Sequence, residues 1–192
     1  MAQPTFPHEP IDVYRRLIEE DVRVELIDGE VVVHAAPGML HGFGTSGVGS
    51  ELYQAYQRGR RGPGGWWILS EIDIELDPGA QAYRPDIAGF RQERVPRIPP
   101  ERPVRLVPDF VCEVLSPSNA QWDRGAKKAG YARGGVLWYW MLDPAERRLE
   151  AHQLVSGVYT PAAIVTRETP GCLPPFDDVR FDMSELFPID GP

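Results

Sequence analysis

Apolar and polar residues alternate along much of the chain, and the period of alternation changes from segment to segment. Val22, Val24 and Leu26 alternate with Arg23 and Glu25, and Asp28-Gly29 then precedes Glu30-Val31-Val32-Val33. Asp-Gly accommodates the positive φ angles of a tight two-residue turn, so this segment predicts a β-hairpin. From Trp66 to Leu76 the pattern predicts one long strand, with Ile68, Ile72, Ile74 and Leu76 on one face and Leu69, Glu71, Asp73 and Glu75 on the other. Shorter strands are expected at Pro85–Phe90 and Val107–Leu115, an almost wholly apolar central strand at Val136–Leu142, and two more around the Ser156-Gly157 turn.

Helical signals are fewer. Pro10 opens a short helix through Glu20, and Met1–Glu9 reads as a loose arm. The segment His41–Arg58 reads as a helix with Gly42, Gly44, Gly47 and Gly49 in its first half. Each glycine costs roughly 0.5–1 kcal/mol relative to alanine in a helix. The helix therefore starts nearer Ser46, or its backbone packs very close to something. Asn119–Arg133 predicts a helix ended by Gly134-Gly135, and Met183–Phe187 a short closing one. The resulting class is α+β, a central mixed β-sheet flanked by helices, with the Asn119–Arg133 helix joining two parallel inner strands. A single domain over residues 10–188 fits 192 residues without repeats or linkers.

Charge narrows the functional classes. A net charge of -8 argues against a protein that coats nucleic acid non-specifically. The charge is uneven: five arginines stand against two glutamates between Arg91 and Arg105, and Arg58, Arg60 and Arg61 cluster without an acid. Such a face can meet phosphate, and solvated loops have the same composition. No run approaches the length of a membrane span, and Cys112 and Cys172 fit no zinc-site spacing. A cytoplasmic protein with reduced cysteines, and no membrane partner, is the expectation. Trp138-Tyr139-Trp140 reads as core, whereas Trp66-Trp67 beside a Gly-Pro-Gly-Gly turn is expected to be partly exposed and to pack across a homodimer interface.

The chemistry concentrates between Arg84 and Tyr131. Asp86 follows a proline at the start of its strand, where it can lie at a sheet edge. Glu113 shares the face of Val111 and Leu115, opposite Phe110, Cys112 and Val114. A carboxylate on so apolar a strand needs a partner, because an unpaired buried charge costs several kcal/mol. The readings are a buried salt bridge, for instance to an arginine, and a metal-binding or catalytic role. Asp123, Lys127 and Tyr131 share one helical face; either Asp123 and Lys127 form a solvated i,i+4 pair, or Lys127 points inward over Glu113 while Lys128 meets solvent. Converging carboxylates favour a hard cation such as Mg2+ or Mn2+, one ion rather than two. His41 is a candidate general base or substrate contact, and Glu71, Asp73 and Glu75 could supply another ligand or form a solvated sheet face.

These residues resemble the Uma2 family, formerly DUF820, within the restriction-endonuclease-like PD-(D/E)XK fold. The resemblance rests on Arg84-Pro85-Asp86, Glu113-Val114-Leu115-Ser116-Pro117-Ser118, the Asp123/Lys127/Tyr131 ladder and Gly135 to Pro144, and extends back to the Glu25–Glu30 hairpin. It implies a metal-dependent endonuclease acting on DNA, with Asp86 and Glu113 as metal ligands. Leu115 stands where the motif's lysine ordinarily lies, and Lys127 resembles a lysine moved to the following helix. Glu25 resembles an additional acid completing the metal cluster, and His41 a histidine before the first long helix, with Gly42 where glutamine is more usual. Cutting both strands of a duplex with one site per chain would call for a symmetric dimer. The alternatives are a non-catalytic module that keeps the fold and binds nucleic acid or protein, and a structural protein whose acids form a salt-bridge network.

Overall fold

In the computed structural model, which describes residues 9–187, the Asp28-Gly29 turn lies in the first sheet. Both residues have positive φ, 49° and 80°, and they join β1 (Val24–Ile27) to β2 (Glu30–Val33) in antiparallel register. Helix α1 (Pro10–Glu19) precedes this hairpin and buries Tyr14 and Ile18 against it. Residues 1–8 of the predicted Met1–Glu9 arm and the predicted domain end at residue 188 lie outside the described residues.

The expected long strand from Trp66 to Leu76 is instead two strands in two sheets. Strand β3 (Trp66–Ser70) is followed by Glu71 in the left-handed region, φ 51°, and then by β4 (Ile74–Asp77). The backbone reversal at Glu71 ends one hydrogen-bond ladder and lets the next strand join another. With β5 (Gln81–Tyr83), β4 and the hairpin form a four-stranded sheet ordered β2-β1-β5-β4.

The second sheet carries β6 (Ile87–Arg91), β7 (Phe110–Val114), β8 (Trp138–Asp143), β9 (Arg148–Val155) and β10 (Val158–Val165). Its order is β10-β9-β8-β7-β6-β3, parallel between β7 and β8 and antiparallel elsewhere. The mixed sheet expected from the sequence is therefore present. The parallel pair is joined by α3 (Ala120–Arg124) and α4 (Ala126–Gly134), where one continuous helix was expected. Gly125, at φ -115° and ψ -103°, interrupts it, and Gly135 in the left-handed conformation ends it as predicted.

Helix α2 (Met39–Leu52) begins two residues before His41 and runs into a π-helical turn, Tyr53–Gln57. Close packing explains two of its glycines. A Cβ at Gly44 would lie 2.8 Å from Leu142 Cδ2, and one at Gly47 would lie 2.2 Å from Leu186 Cδ1. Leu186 belongs to α5 (Met183–Leu186), beside the β11 (Gly171–Leu173) and β12 (Phe176–Phe181) ribbon.

Strand β7 separates two cores. Phe110, Cys112 and Val114 join Val48, Leu52, Trp140 and Phe176 on the α2 side, while Val111 joins Tyr83, Tyr131 and Tyr139 on the α4 side. Trp66 is not an exposed interface residue: it packs edge-on against Phe176 at 4.9 Å, with Arg91 over its ring. Trp67 is half-buried and donates from Nε1 to Val95 O. Both cysteines are free, Cys112 buried and Cys172 exposed. Among the described residues no helix is long and apolar enough to cross a membrane.

Candidate active site

Sheet register brings the two acids of the second sheet together. The last β6–β7 pair is Ile87 with Cys112, so one further step along both strands sets Asp86 against Glu113. Asp86 is not at an edge, because β6 lies between β3 and β7, and only 1% of the residue is exposed. Its Oδ2 accepts the Val114 N–H at 2.7 Å and lies 3.2 Å from His41 Nε2. Its Oδ1 accepts from Arg23 at 3.0 Å.

Glu113 points to the α4 side of β7, as the period-two pattern requires. The buried salt bridge expected of Glu113 is present, and the cation that makes it is Lys127. Oε1 lies 2.9 Å from Lys127 Nζ and accepts the Tyr131 hydroxyl at 2.7 Å. The same ammonium reaches Glu25 Oε1 and Asp123 Oδ1, each at 3.0 Å. Lys127 is thus inward, 3% exposed, while Lys128 is half-buried. Asp123 is fully buried, which removes the solvated-pair reading.

Glu25 comes from the other sheet. Its Oε1 also accepts the Arg84 N–H at 2.9 Å, and Oε2 lies 2.8 Å from His34 Nε2. The structure therefore gathers Glu25, Asp86, Glu113, Lys127 and His41 at the junction of the two sheets. Arg23 and His34 join them and were not singled out from the sequence. Their signal was present in the hairpin: the register that pairs Val24 with Val33 sets Arg23 opposite His34, and the His34 N–H donates to Arg23 O.

The neighbouring acids are otherwise engaged. Buried Asp73 accepts from Arg84 and Arg102, buried Glu75 from Arg15, and exposed Glu71 pairs with Arg23. Asp73 and Glu75 belong to buried ion pairs and Glu71 to an exposed one. Arg94 and Arg105 likewise face Asp109 and Glu75.

Within the cluster, the carboxyl groups of Glu25, Asp86, Glu113 and Asp123 face the permanent cations Lys127 and Arg23, the latter shared with Glu71. One ammonium shared by three carboxylates cannot neutralise them all. Burial and the adjacent acids accordingly push Glu113 well above the usual carboxylate range, with Lys127 opposing. Asp123 is raised for the same reasons. Burial works against the charge on Lys127, but Asp123, Glu113 and Glu25 outweigh it and hold its pKa well above the ordinary lysine value. Burial also works against Glu25, where Lys127, His34 and the Arg84 N–H prevail and hold it at about 2.

The excess negative charge and the oxygen donors suit a hard divalent cation, which needs only one or two carboxylates because it keeps several waters. Asp86 and Glu113 are the residues whose oxygens could provide such a pair. Among the described residues no three His, Cys, Asp or Glu side chains converge as a preformed metal cage.

The family model Uma2, described as "Putative restriction endonuclease", matches residues 11–184. The chain belongs to the Uma2 family. Its fold is similar to the crystal structure of a protein from Anabaena variabilis ATCC 29413 described as a putative nuclease belonging to DUF820. That likeness has a TM-score of 0.73 at 20% identity and covers 93% of this chain and 97% of the other, and it establishes the nuclease-like α+β fold. No curated protein matches the chain. The endonuclease description of Uma2 implies a divalent cation, for which Asp86 and Glu113 in this member have suitable chemistry.

Proposed function

We propose that the chain is a divalent-metal-dependent endonuclease that hydrolyses DNA phosphodiester bonds. The observation that carries this reading is the placement of Lys127 Nζ 2.9 Å from Glu113 Oε1, beside Asp86, with all three side chains withdrawn from water. Asp86 and Glu113 would hold Mg2+ or Mn2+, which when bound polarises the phosphoryl group and lowers the pKa of water. The Val114 N–H, Arg23 and His41 keep the Asp86 carboxylate oriented. Lys127, positioned by Glu25 and Asp123, orients the attacking water and stabilises the charge that develops on the pentavalent phosphate. Water bonds through oxygen to phosphorus, the bond to the leaving sugar oxygen breaks, and the water's proton passes to solvent or to that oxygen. His41, 3.2 Å from Asp86, would contact the phosphate or accept a proton.

A second reading, a binding module that keeps the fold without cleaving, is favoured by the cations this chain already supplies to its own carboxylates. Cleavage assays with Mg2+ or Mn2+ on single- and double-stranded DNA and RNA separate the two. Asp86→Asn and Glu113→Gln should each remove activity and weaken Mn2+ binding measured by calorimetry. Metal-dependent cleavage that survives both substitutions would overturn the site, and binding of nucleic acid with no cleavage would favour the module.

A further inference from the structure

A cavity of about 460 Å3 adjoins the acidic cluster. Arg23, His34 and His41 form part of its lining, and the same three side chains touch Asp86 or Glu25. Apolar surface comes from Pro37, Met39 and Pro117. We propose that this cavity receives one unpaired nucleotide, so that the chain takes single-stranded or frayed DNA in preference to intact duplex. The proposal rests on the hydrolytic reading for placing the scissile phosphate beside Asp86.

Size and chemistry both fit. Sites for small ligands run from about 300 to 1,000 Å3 and combine apolar walls with a few placed polar groups. Arg23 offers a guanidinium to phosphate. His41 is 6% exposed, and its Nδ1 is buried without a hydrogen-bond partner, although its Nε2 is held by Asp86. The start of α2 adds backbone donors: Gly38 makes no side-chain cap, and the first turn contains no acid. Met39 is 92% exposed and Leu40 is 40% exposed on that turn, leaving apolar surface beside the cavity for an unstacked base.

Access argues for a single strand. Asp86, Glu113 and Lys127 are 1%, 2% and 3% exposed, so a phosphodiester must enter a recess to meet them. A duplex holds its nucleotides in a stiff stack and can lower one into a recess only by unpairing and unstacking it. In the arginine-rich segment Arg94, Arg102 and Arg105 face Asp109, Asp73 and Glu75, which offsets the charge that segment offers to a duplex. Cutting one strand also requires no second copy of the cluster.

The test uses the full chain in EDTA and reads fluorescence anisotropy. The probes are a fluorescein-labelled oligodeoxythymidylate of about 12 nucleotides, and a duplex of that length. The single strand should bind at least about tenfold more tightly. Ala36→Trp, and separately Ser118→Trp, place bulk in the cavity from exposed positions on opposite segments of its lining and should abolish that preference. Equal affinity for both probes, or unchanged single-strand affinity in both variants, would overturn the assignment. A parallel Mn2+ cleavage assay distinguishes the two readings. Single-strand-selective binding with no cleavage sustains the cavity and defeats the hydrolytic reading. Duplex cleavage unaffected by either tryptophan sustains hydrolysis and defeats the cavity.

Discussion

Lys127 on α4 and Glu113 on β7 meet at 2.9 Å with almost no solvent between them and the protein interior. Because the same ammonium also reaches Glu25 and Asp123, it is the electrostatic centre of the junction between the sheets.

Replacing that centre should be costly. Lys127→Met leaves three buried carboxylates without their cation, and breaking a buried ion pair from one side typically costs about 3–5 kcal/mol. Adding Glu113→Gln removes one of the stranded charges and should recover part of the loss. Urea unfolding at neutral pH measures both, and no recovery in the double variant would mean that charge is not the cause.

Stability should also vary with pH in two opposite ways. Glu25 is held at about 2, below its ordinary 4.5. Between those values the unfolded chain binds more protons, so the Glu25 contribution is complete above about 4.5 and is lost as pH falls toward about 2. Glu113 is raised, so its contribution is present below 4.5 and declines as pH rises toward its folded value. Denaturant unfolding across the acid-to-neutral range should show a flattened acid limb in Glu25→Gln. Glu113→Gln should show a smaller decline on the other side; curves parallel to wild type would refute the assignment.

Two glycine substitutions should move stability in opposite directions. A Cβ at Gly130 would overlap the Tyr83 hydroxyl and lie 2.7 Å from Gln81 Oε1, so Gly130→Ala forces the buried Tyr83 ring and the Gln81 amide, or α4 itself, to move. Overpacking of this kind costs about 1–3 kcal/mol, and a shift of the Tyr83 ring, packed on Tyr131 at 4.7 Å, should reduce any cleavage activity. Gly42 has nothing within 4 Å of an added Cβ, so Gly42→Ala should stabilise α2 by up to about 1 kcal/mol. Thermal unfolding of the two variants supplies the comparison.

Asp73 separates buried from exposed ion pairing. It holds Arg84, whose side chain is 11% exposed, and Arg102, whose side chain is 47% exposed. Arg102→Ala should cost no more than about 1 kcal/mol. Asp73→Ala leaves the largely buried Arg84 guanidinium with only the Val22 carbonyl and should cost more, up to about 3–5 kcal/mol. Similar losses from the two substitutions, measured by denaturant midpoint, would contradict this division.

Much of the fold could be read from local pattern. The Asp28-Gly29 hairpin, the inward face of Glu113 and the glycine stop after α4 depend on neighbours a few residues away. The switch at Glu71 was hidden because apolar alternation continues from Ile68 to Ile74 while the chain changes sheets. The break at Gly125 was hidden for a related reason: Asp123 and Lys127 keep an i,i+4 contact at 3.0 Å across it. Arg23 and His34 looked like ordinary polar positions of a hairpin until the second sheet closed over them.

By itself the sequence determined the α+β class, the main strands and the residue types able to bind a metal, because backbone geometry and side-chain direction follow from short-range sterics and hydrophobic period. Tertiary structure decided which acid meets which cation, that Asp86 lies inside rather than at an edge, and that the cluster is recessed beside a cavity. Coulomb attraction and desolvation depend on separation in space and on exclusion of water, and those quantities exist only once the two sheets have packed together.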